Sequence, residues 1–295
     1  MTAPSARPAA FFDLDKTIIA RSSTFAFSRP FLTGGLISRR AVLRSTYAHM
    51  AYQLGGADHE QMERMRASLS RMVTGWDVEQ VRSIVGETLQ ELIEPVVYRE
   101  AAALIAEHHA GGRDVVIVSS SGSELVEPIG RMLGADHVIA TRMVERDGRY
   151  TGEIDFYAYG PAKAAAVRRI AAREGYDLEQ SSAYSDSFTD LPMLEAVGHP
   201  HAVNPDRALR REAVARGWPV LDFTQPVPLR RRLAMAGPAD RARSAGRPDE
   251  VAAAPATGHR PVLPAQRVPT VAVALGAGAA TAGLVWLAAR RRERG

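Results

Sequence analysis

The chain has 295 residues, 46% hydrophobic and 24% charged, the composition of a globular protein able to bury a sizeable core. It holds no cysteine, which excludes disulfides, thiolate nucleophiles and Cys-ligated metal centres. Net charge is +4, but from Arg230 onward 12 Arg stand against four acids, so that tail carries +8 and the preceding residues −4. The folded part therefore gives no reason to expect a nucleic-acid partner.

The first ten residues hold one Arg and no apolar run, unlike a secretory leader, so a cytoplasmic location is expected. Residues 9–14 form a short apolar run ending in acids, the pattern of a buried parallel strand that delivers side chains at its carboxyl end. Residues 22–112 contain no convincing strand. Within them, 41–54, 59–73, 78–92 and 98–109 place apolar residues at helical spacing and predict an all-helical insert. Phe25, Phe27, Phe31 and Leu32 give its start an apolar face, read as core packing, with lipid contact as the other reading. Residues 115–119 repeat the strand theme and lead into a helix over 123–133. The Asp147-Gly148 pair predicts a hairpin within 143–154. Helices over 161–174, 190–197 and 206–216 then alternate with weaker strands at 183–186 and 201–204. Such alternation gives an α/β fold with a parallel sheet, whose ligands gather at the carboxyl ends of the strands.

Residues 226–267 are rich in Pro, Ala and Arg and read as a flexible linker. Residues 270–289 follow without a charge and end in Arg290, Arg291 and Arg292. At about 1.5 Å per residue their length matches about 30 Å of hydrocarbon. Their Ala and Gly content leaves two readings: a membrane helix over 268–295 with an Arg-rich end, or an Ala-rich tail without order.

The strongest chemical signal is Phe11-Phe12-Asp13-Leu14-Asp15-Lys16-Thr17. Alternation along a strand end puts Asp13 and Asp15 on one side, and carboxylates that close call for a cation. Mg²⁺ suits the place, because it takes a few hard oxygens together with a substrate's phosphate. Asp13 can then attack phosphorus, while Asp15 protonates the leaving oxygen and later activates water. Ser119 ends the second strand, and its hydroxyl with the N–H groups of a turn over Ser120, Ser121 and Gly122 would form a phosphate nest. Taken alone, that serine fits a helix cap as well. Of 37 basic residues only Lys16 and Lys163 are lysines. Lys163, at a helix start, offers a compact charge for a phosphoryl oxygen, and Lys16 reads as a neighbour of the site. Asp186 ends a strand and would complete the metal's oxygen shell. Asp190, four residues on, fits that shell or a plain helix N-terminal charge.

This ordered set resembles the haloacid dehalogenase superfamily over roughly residues 9–222. The likeness is greatest to its phosphoserine-phosphatase-like branch, the IB hydrolases. It is carried by Val118-Ser119-Ser120-Ser121, Arg149-Tyr150-Thr151-Gly152, Ser185-Asp186-Ser187 and Asp190-Leu191-Pro192-Met193-Leu194. The resemblance implies a Rossmann-like parallel-sheet core (9–21 and 113–225) with a helical type-1 cap inserted at 22–112. It implies Mg²⁺ bound by Asp13, the carbonyl of Asp15 and Asp186, with Thr17 and Asp190 in support. Ser119, Ser120 and Lys163 would hold the phosphoryl group. The implied activity is a Mg²⁺-dependent phosphomonoester hydrolase working through an aspartyl-phosphate on a small or lipid-derived ester.

Two departures bear on the substrate. Ser22 stands where true phosphoserine phosphatases carry a Glu, and Ser119-Ser120-Ser121-Gly122 replaces their Ser-Gly-Gly-Phe. Both weaken phosphoserine, which stays as an alternative beside a non-enzymatic, membrane-tethered phosphate-binding module. The form Tyr184-Ser185-Asp186-Ser187 is similar to bacterial phosphatases of this branch that act on phospholipid head groups. The expected partners are thus a phosphorylated small molecule or phospholipid, and a membrane met through the tail.

Overall fold

The computed structural model describes residues 6–37 and 59–224, together with Pro226. The helix expected at 41–54, nearly all of the linker and the apolar segment at 268–295 lie outside the described residues. Among the described residues no helix is long and apolar enough to cross a membrane.

The apolar run at the start becomes β1 (Ala9–Phe12), whose four residues are all buried. It lies in a seven-stranded sheet with β2 (Asp114–Gly122), β3 (His137–Arg146), β4 (Arg149–Phe156), β5 (Ser182–Ser185), β6 (His199–Val203) and β7 (Val220–Leu221). The order across the sheet is β4-β3-β2-β1-β5-β6-β7, and all neighbours run parallel except the β3–β4 hairpin. β1 is therefore central, flanked by β2 and β5, where the order of an open α/β sheet switches and ligands collect.

Helices cover both faces, which is why the inner strands are apolar on both sides. On one face Ala10, Phe12, Val115, Ile117 and Tyr184 join a core with α5 (Arg99–Ala110) and α6 (Ser123–Leu133). On the other, Ala9, Phe11, Val116, Val118 and Ala183 pack against α7 (Pro161–Glu174), α8 (Leu191–Leu194) and α9 (Arg207–Arg216). Successive strand residues thus serve opposite faces. At Gly130 of α6 an added Cβ would come within 2.6 Å of Val138 Cγ2, so only glycine lets that helix lie this close to β3.

Between β1 and β2 the described residues form α1 (Ser23–Ala26), α2 (Ser28–Thr33), α3 (His59–Val73), α4 (Val78–Ile93) and α5, with a 3₁₀ turn at Glu94–Val96. The first two were not foreseen: Pro30 and their shortness leave no helical period to read. Phe27 and Phe31 are core residues as expected, whereas Phe25 is 59% exposed. α5, which the sequence assigns to the insert, packs on β2, and its His108 reaches Tyr184 of the sheet. The hairpin turns through Asp147 and Gly148, both at positive φ (52° and 71°), as the Asp-Gly pair predicts. It is tied to the α3–α4 loop by Gly75 N–H to the Tyr150 carbonyl (2.8 Å), Tyr150 N–H to Trp76 (3.0 Å) and Val78 N–H to Gly148 (3.0 Å).

Two expectations need correction. β2 continues to Gly122, pairing it with Thr141 across a register shift, so Ser120, Ser121 and Gly122 are strand rather than turn. The helix expected over 190–197 is a 3₁₀ turn, Phe188–Asp190, followed by one turn of α-helix, α8.

Candidate active site

Asp13 is the first residue past β1, and its N–H donates to the Tyr184 carbonyl of β5 (2.9 Å). Ladder register continues it opposite Val118 and Ser185, on the face where Phe11, Val118 and Ala183 already pack against α7. That placement explains its partner. α7 begins at Pro161 after Gly160, and its first turn carries Lys163. Lys163 Nζ donates to Asp13 Oδ1 at 2.6 Å and to Asp190 Oδ2 at 2.7 Å, with all three side chains buried. Burial acts against the Lys163 charge, yet the two carboxylates overturn it and hold the ammonium protonated above its usual range. Thr17, fully buried in the turn after β1, donates from Oγ1 to Asp13 Oδ2 at 3.4 Å.

Asp190 does not cap α8; its carboxylate turns inward to Lys163 and accepts from Ser185 Oγ at 2.8 Å. Asp186 lies just past β5, buried, and among the described residues no donor bonds its carboxylate. Burial and the neighbouring Asp13 push its pKa well up, while Lys16 favours its ionised form. Burial likewise raises Asp13 to about 7, against the pull of Lys163. Asp206 fixes the loop between them: its N–H donates to the Asp186 carbonyl (2.7 Å), and its Oδ2 accepts from Phe188 N–H (2.8 Å). The sequence offers Asp206 only as a helix start, which it also is, Oδ1 capping α9 at Ala208 and Leu209.

Asp15 faces another neighbourhood. β1 ends at Phe12, so strand alternation does not reach Asp15 as the sequence argument assumed. Its Oδ1 accepts from Ser23 N–H (2.7 Å) and its Oδ2 from Ser121 Oγ (3.3 Å). Burial raises its pKa and these donors lower it, the first effect prevailing. Ser119 is buried on β2, and its Oγ accepts from Ser121 N–H (3.2 Å), so that amide of the expected nest is already engaged. Ser120 contributes its carbonyl, to Thr141 Oγ1 (2.7 Å). The sequence does not single out Ser23, and it offers Ser121 for its backbone N–H, Ser185 as part of a motif and Asp206 as a helix start, none of them for the side-chain contacts seen here. Serine is too common at strand ends and helix starts to announce a contact.

Among the described residues no group of three or more His, Asp or Glu side chains gathers around one metal position. The donor set implied by the resemblance is smaller, two carboxylates (Asp13 and Asp186) and one backbone carbonyl (Asp15). It fits a hard cation on charge. Four carboxylates (Asp13, Asp15, Asp186 and Asp190) face two ammoniums (Lys16 and Lys163), and the buried Asp186 carboxylate lacks a donor among the described residues.

The sequence profile of the haloacid dehalogenase-like hydrolases matches residues 10–195. The chain is 60% identical over 287 residues to the "Inhibition of morphological differentiation protein" of Streptomyces azureus, covering 97% of this chain and 95% of that one. It is 64% identical over 232 residues to a probable phosphatase of Mycobacterium tuberculosis, covering 79% of this chain and 81% of that one. A solved phosphoserine phosphatase with bound substrate shares its fold at a TM-score of 0.55 and 21% identity, over 79% of this chain and 99% of that one. An Asp-led strand end, a lysine brought in by a later helix and a profile spanning both have one consistent reading. The chain belongs to the haloacid dehalogenase-like hydrolases, among their phosphatase-type members.

Proposed function

We propose that this chain is a Mg²⁺-dependent phosphomonoester hydrolase that forms an aspartyl-phosphate on Asp13. The observation that carries the reading is the buried Lys163 ammonium bridging Asp13 and Asp190 at the carboxyl edge of the central strand. A carboxylate kept in place by a fixed cation, with a second carboxyl two residues on, is the arrangement that in-line attack followed by hydrolysis needs.

An Asp13 oxygen attacks phosphorus and the bond to the ester oxygen breaks. That oxygen takes the proton of Asp15 and departs as an alcohol. Water then attacks the aspartyl-phosphate, gives its proton to Asp15, and phosphate leaves with Asp13 regenerated. Lys163 and the Ser119 hydroxyl hold the phosphoryl oxygens, Ser120 lends its backbone, and Thr17 and Asp190 keep Asp13 and Lys163 in register. Asp13, Asp186 and the Asp15 carbonyl would hold the Mg²⁺ ion, which when bound offsets the charge of the carboxylates and the phosphate. Within residues 22–112, the helices before α5 would act as the cap that chooses the leaving group, α5 itself packing on the sheet, with the strap from hairpin to α3–α4 loop in support of a closed arrangement.

The substrate we favour is a small or lipid-derived phosphate ester rather than phosphoserine. Ser22, at the place expected of an ammonium-binding Glu, makes no side-chain cap contact and offers no charge. A membrane anchor at 270–289 would suit a lipid-derived ester. The test is a panel of phosphate esters, including phosphoserine and a lysophospholipid phosphate, with Mg²⁺ and with a chelator. We expect turnover that needs Mg²⁺ and falls about 10³-fold or more in Asp13→Asn. Retained activity in that variant would overturn the mechanism, and phosphoserine as best substrate would overturn the substrate choice.

A further inference from the structure

We propose that Ser121 and Ser23 are positioning residues for Asp15, a hydroxyl chain that aims the acid–base carboxyl at the leaving oxygen. This rests on the acid–base role proposed above for Asp15. A general acid must stand within about 2.6–3.2 Å of the atom it protonates, and Asp15 lies beyond the last ladder pair of β1, where the sheet no longer holds it.

Two separate segments meet to hold it. Ser23, the first residue of α1, donates its N–H to Asp15 Oδ1 at 2.7 Å. Ser121, near the end of β2, donates from Oγ to Asp15 Oδ2 at 3.3 Å. Ser23 Oγ lies 2.8 Å from Ser121 Oγ, and Thr24 Oγ1 lies 3.4 Å from it. A serine has one hydroxyl hydrogen and two lone pairs. With the Ser121 hydrogen given to Asp15, Ser121 can only accept in its contacts with Ser23 and Thr24, so the chain of hydroxyls runs from these two through Ser121 to Asp15. Ser23 is fully buried and Ser121 is buried, so both hydroxyls are largely withdrawn from solvent.

The choice of hydroxyls has a chemical reason. Asp13 attacks as a carboxylate and is held by an ammonium. Asp15 must carry a proton in one half of the cycle and lose it in the other. A neighbouring ammonium would resist the protonated form. A hydroxyl donates to the carboxylate and, after rotating, accepts from the acid, so it orients Asp15 in both states.

Leaving-group dependence tests this. kcat/KM reports the steps up to departure of the leaving group, so it senses protonation by Asp15. An alkyl phosphate needs that proton; para-nitrophenyl phosphate, whose phenolate departs readily, does not. Ser121→Ala is expected to lower kcat/KM for glycerol phosphate about tenfold or more and for para-nitrophenyl phosphate about twofold, a part of what a full general acid contributes. Ser23→Ala keeps the backbone N–H and should show the same selectivity with a smaller loss, and Ser121→Thr, which retains a hydroxyl, should restore it. If Ser121→Ala does not fold, the Ser23→Ala pair of substrates decides. Equal losses on both substrates, or none, overturn the proposal. Should the wild-type chain hydrolyse neither ester, it is the phosphatase reading that fails.

Discussion

The two faces of the central sheet solve opposite problems within one residue of each other. On the α7 face, Asp13 and Ser185 join Lys163 and Asp190 in a buried ionic knot. On the α5 face, the preceding residues Phe12 and Tyr184 stack at 4.3 Å, Tyr184 stacks on His201 at 4.6 Å, and His108 Nε2 sits 2.9 Å from the Tyr184 hydroxyl. One face keeps charges by pairing them; the other keeps a titratable ring neutral. Strand alternation insulates chemistry from scaffold at no cost in length.

The widest difference between the faces should come from deleting one member on each side. Lys163→Met leaves Asp13 and Asp190 facing each other without a cation, and breaking a buried pair in this way costs about 3–5 kcal/mol. Tyr184→Phe removes one neutral hydrogen bond from a stack that otherwise persists, at about 1 kcal/mol. Urea unfolding of the two variants measures both. Equal losses would mean that the ionic knot is no more than another packing contact.

Acid should break the neutral face selectively. Arg113 Nη1 lies 3.3 Å from His108 Nδ1 and can only donate, so Nδ1 accepts and the ring is the neutral Nε2–H tautomer, donating to Tyr184. Burial foremost, then Arg113 and the other histidines nearby, hold its pKa near 4. With the folded value below the unfolded one, near 6.5, the unfolded chain binds the extra proton. The contribution of neutral His108 is complete above about pH 6.5 and is lost as pH falls from there toward about 4, on the order of 2 kcal/mol in all. His108→Gln should remove that part of the slope in stability between these pH values. An unchanged slope would show that His108 is protonated in the folded chain.

What could be read beforehand follows the same division. α6 and α7 are bounded where the sequence set them, because Gly134 and Gly175 stop them in left-handed conformations and Pro161 starts the second. Asp13 and Lys163 stand out in the sequence, an acid at the end of an apolar strand and one of two lysines among 37 basic residues, whereas the pairing of Asp190 with Lys163 does not, because an acid at a helix start has an ordinary structural use. The hydroxyl contacts to Asp15 were not legible either, since Ser120-Ser121-Gly122 has turn composition and only its pairing with Thr141 of β3 draws it into strand. Propensity yielded there to the ladder. The mixed role of α5 was also hidden: its apolar period is the same whether it packs on a sheet or on other helices.

The smallest effect is expected where the chain leaves one face for the other. Lys16 adopts φ 63°, a left-handed conformation that costs a side-chain-bearing residue about 1–2 kcal/mol. The turn it serves is closed by Lys16 N–H to the Ile19 carbonyl (2.7 Å) and by Ile18 and Ile19 N–H to Leu14 (2.9 and 3.1 Å). It parts Asp13, which looks toward α7, from Asp15, which looks toward Ser121. If the backbone alone makes this turn, Lys16→Gly removes the strain but frees the unfolded chain, and the two effects nearly cancel, leaving stability within about 0.5 kcal/mol of wild type. Lys16→Val keeps the strain and adds a β-branch, and should lose about 1–2 kcal/mol. A glycine variant that loses as much as the valine variant would transfer the role to the ammonium beside Asp186, making the turn part of the ionic face rather than the boundary between the two.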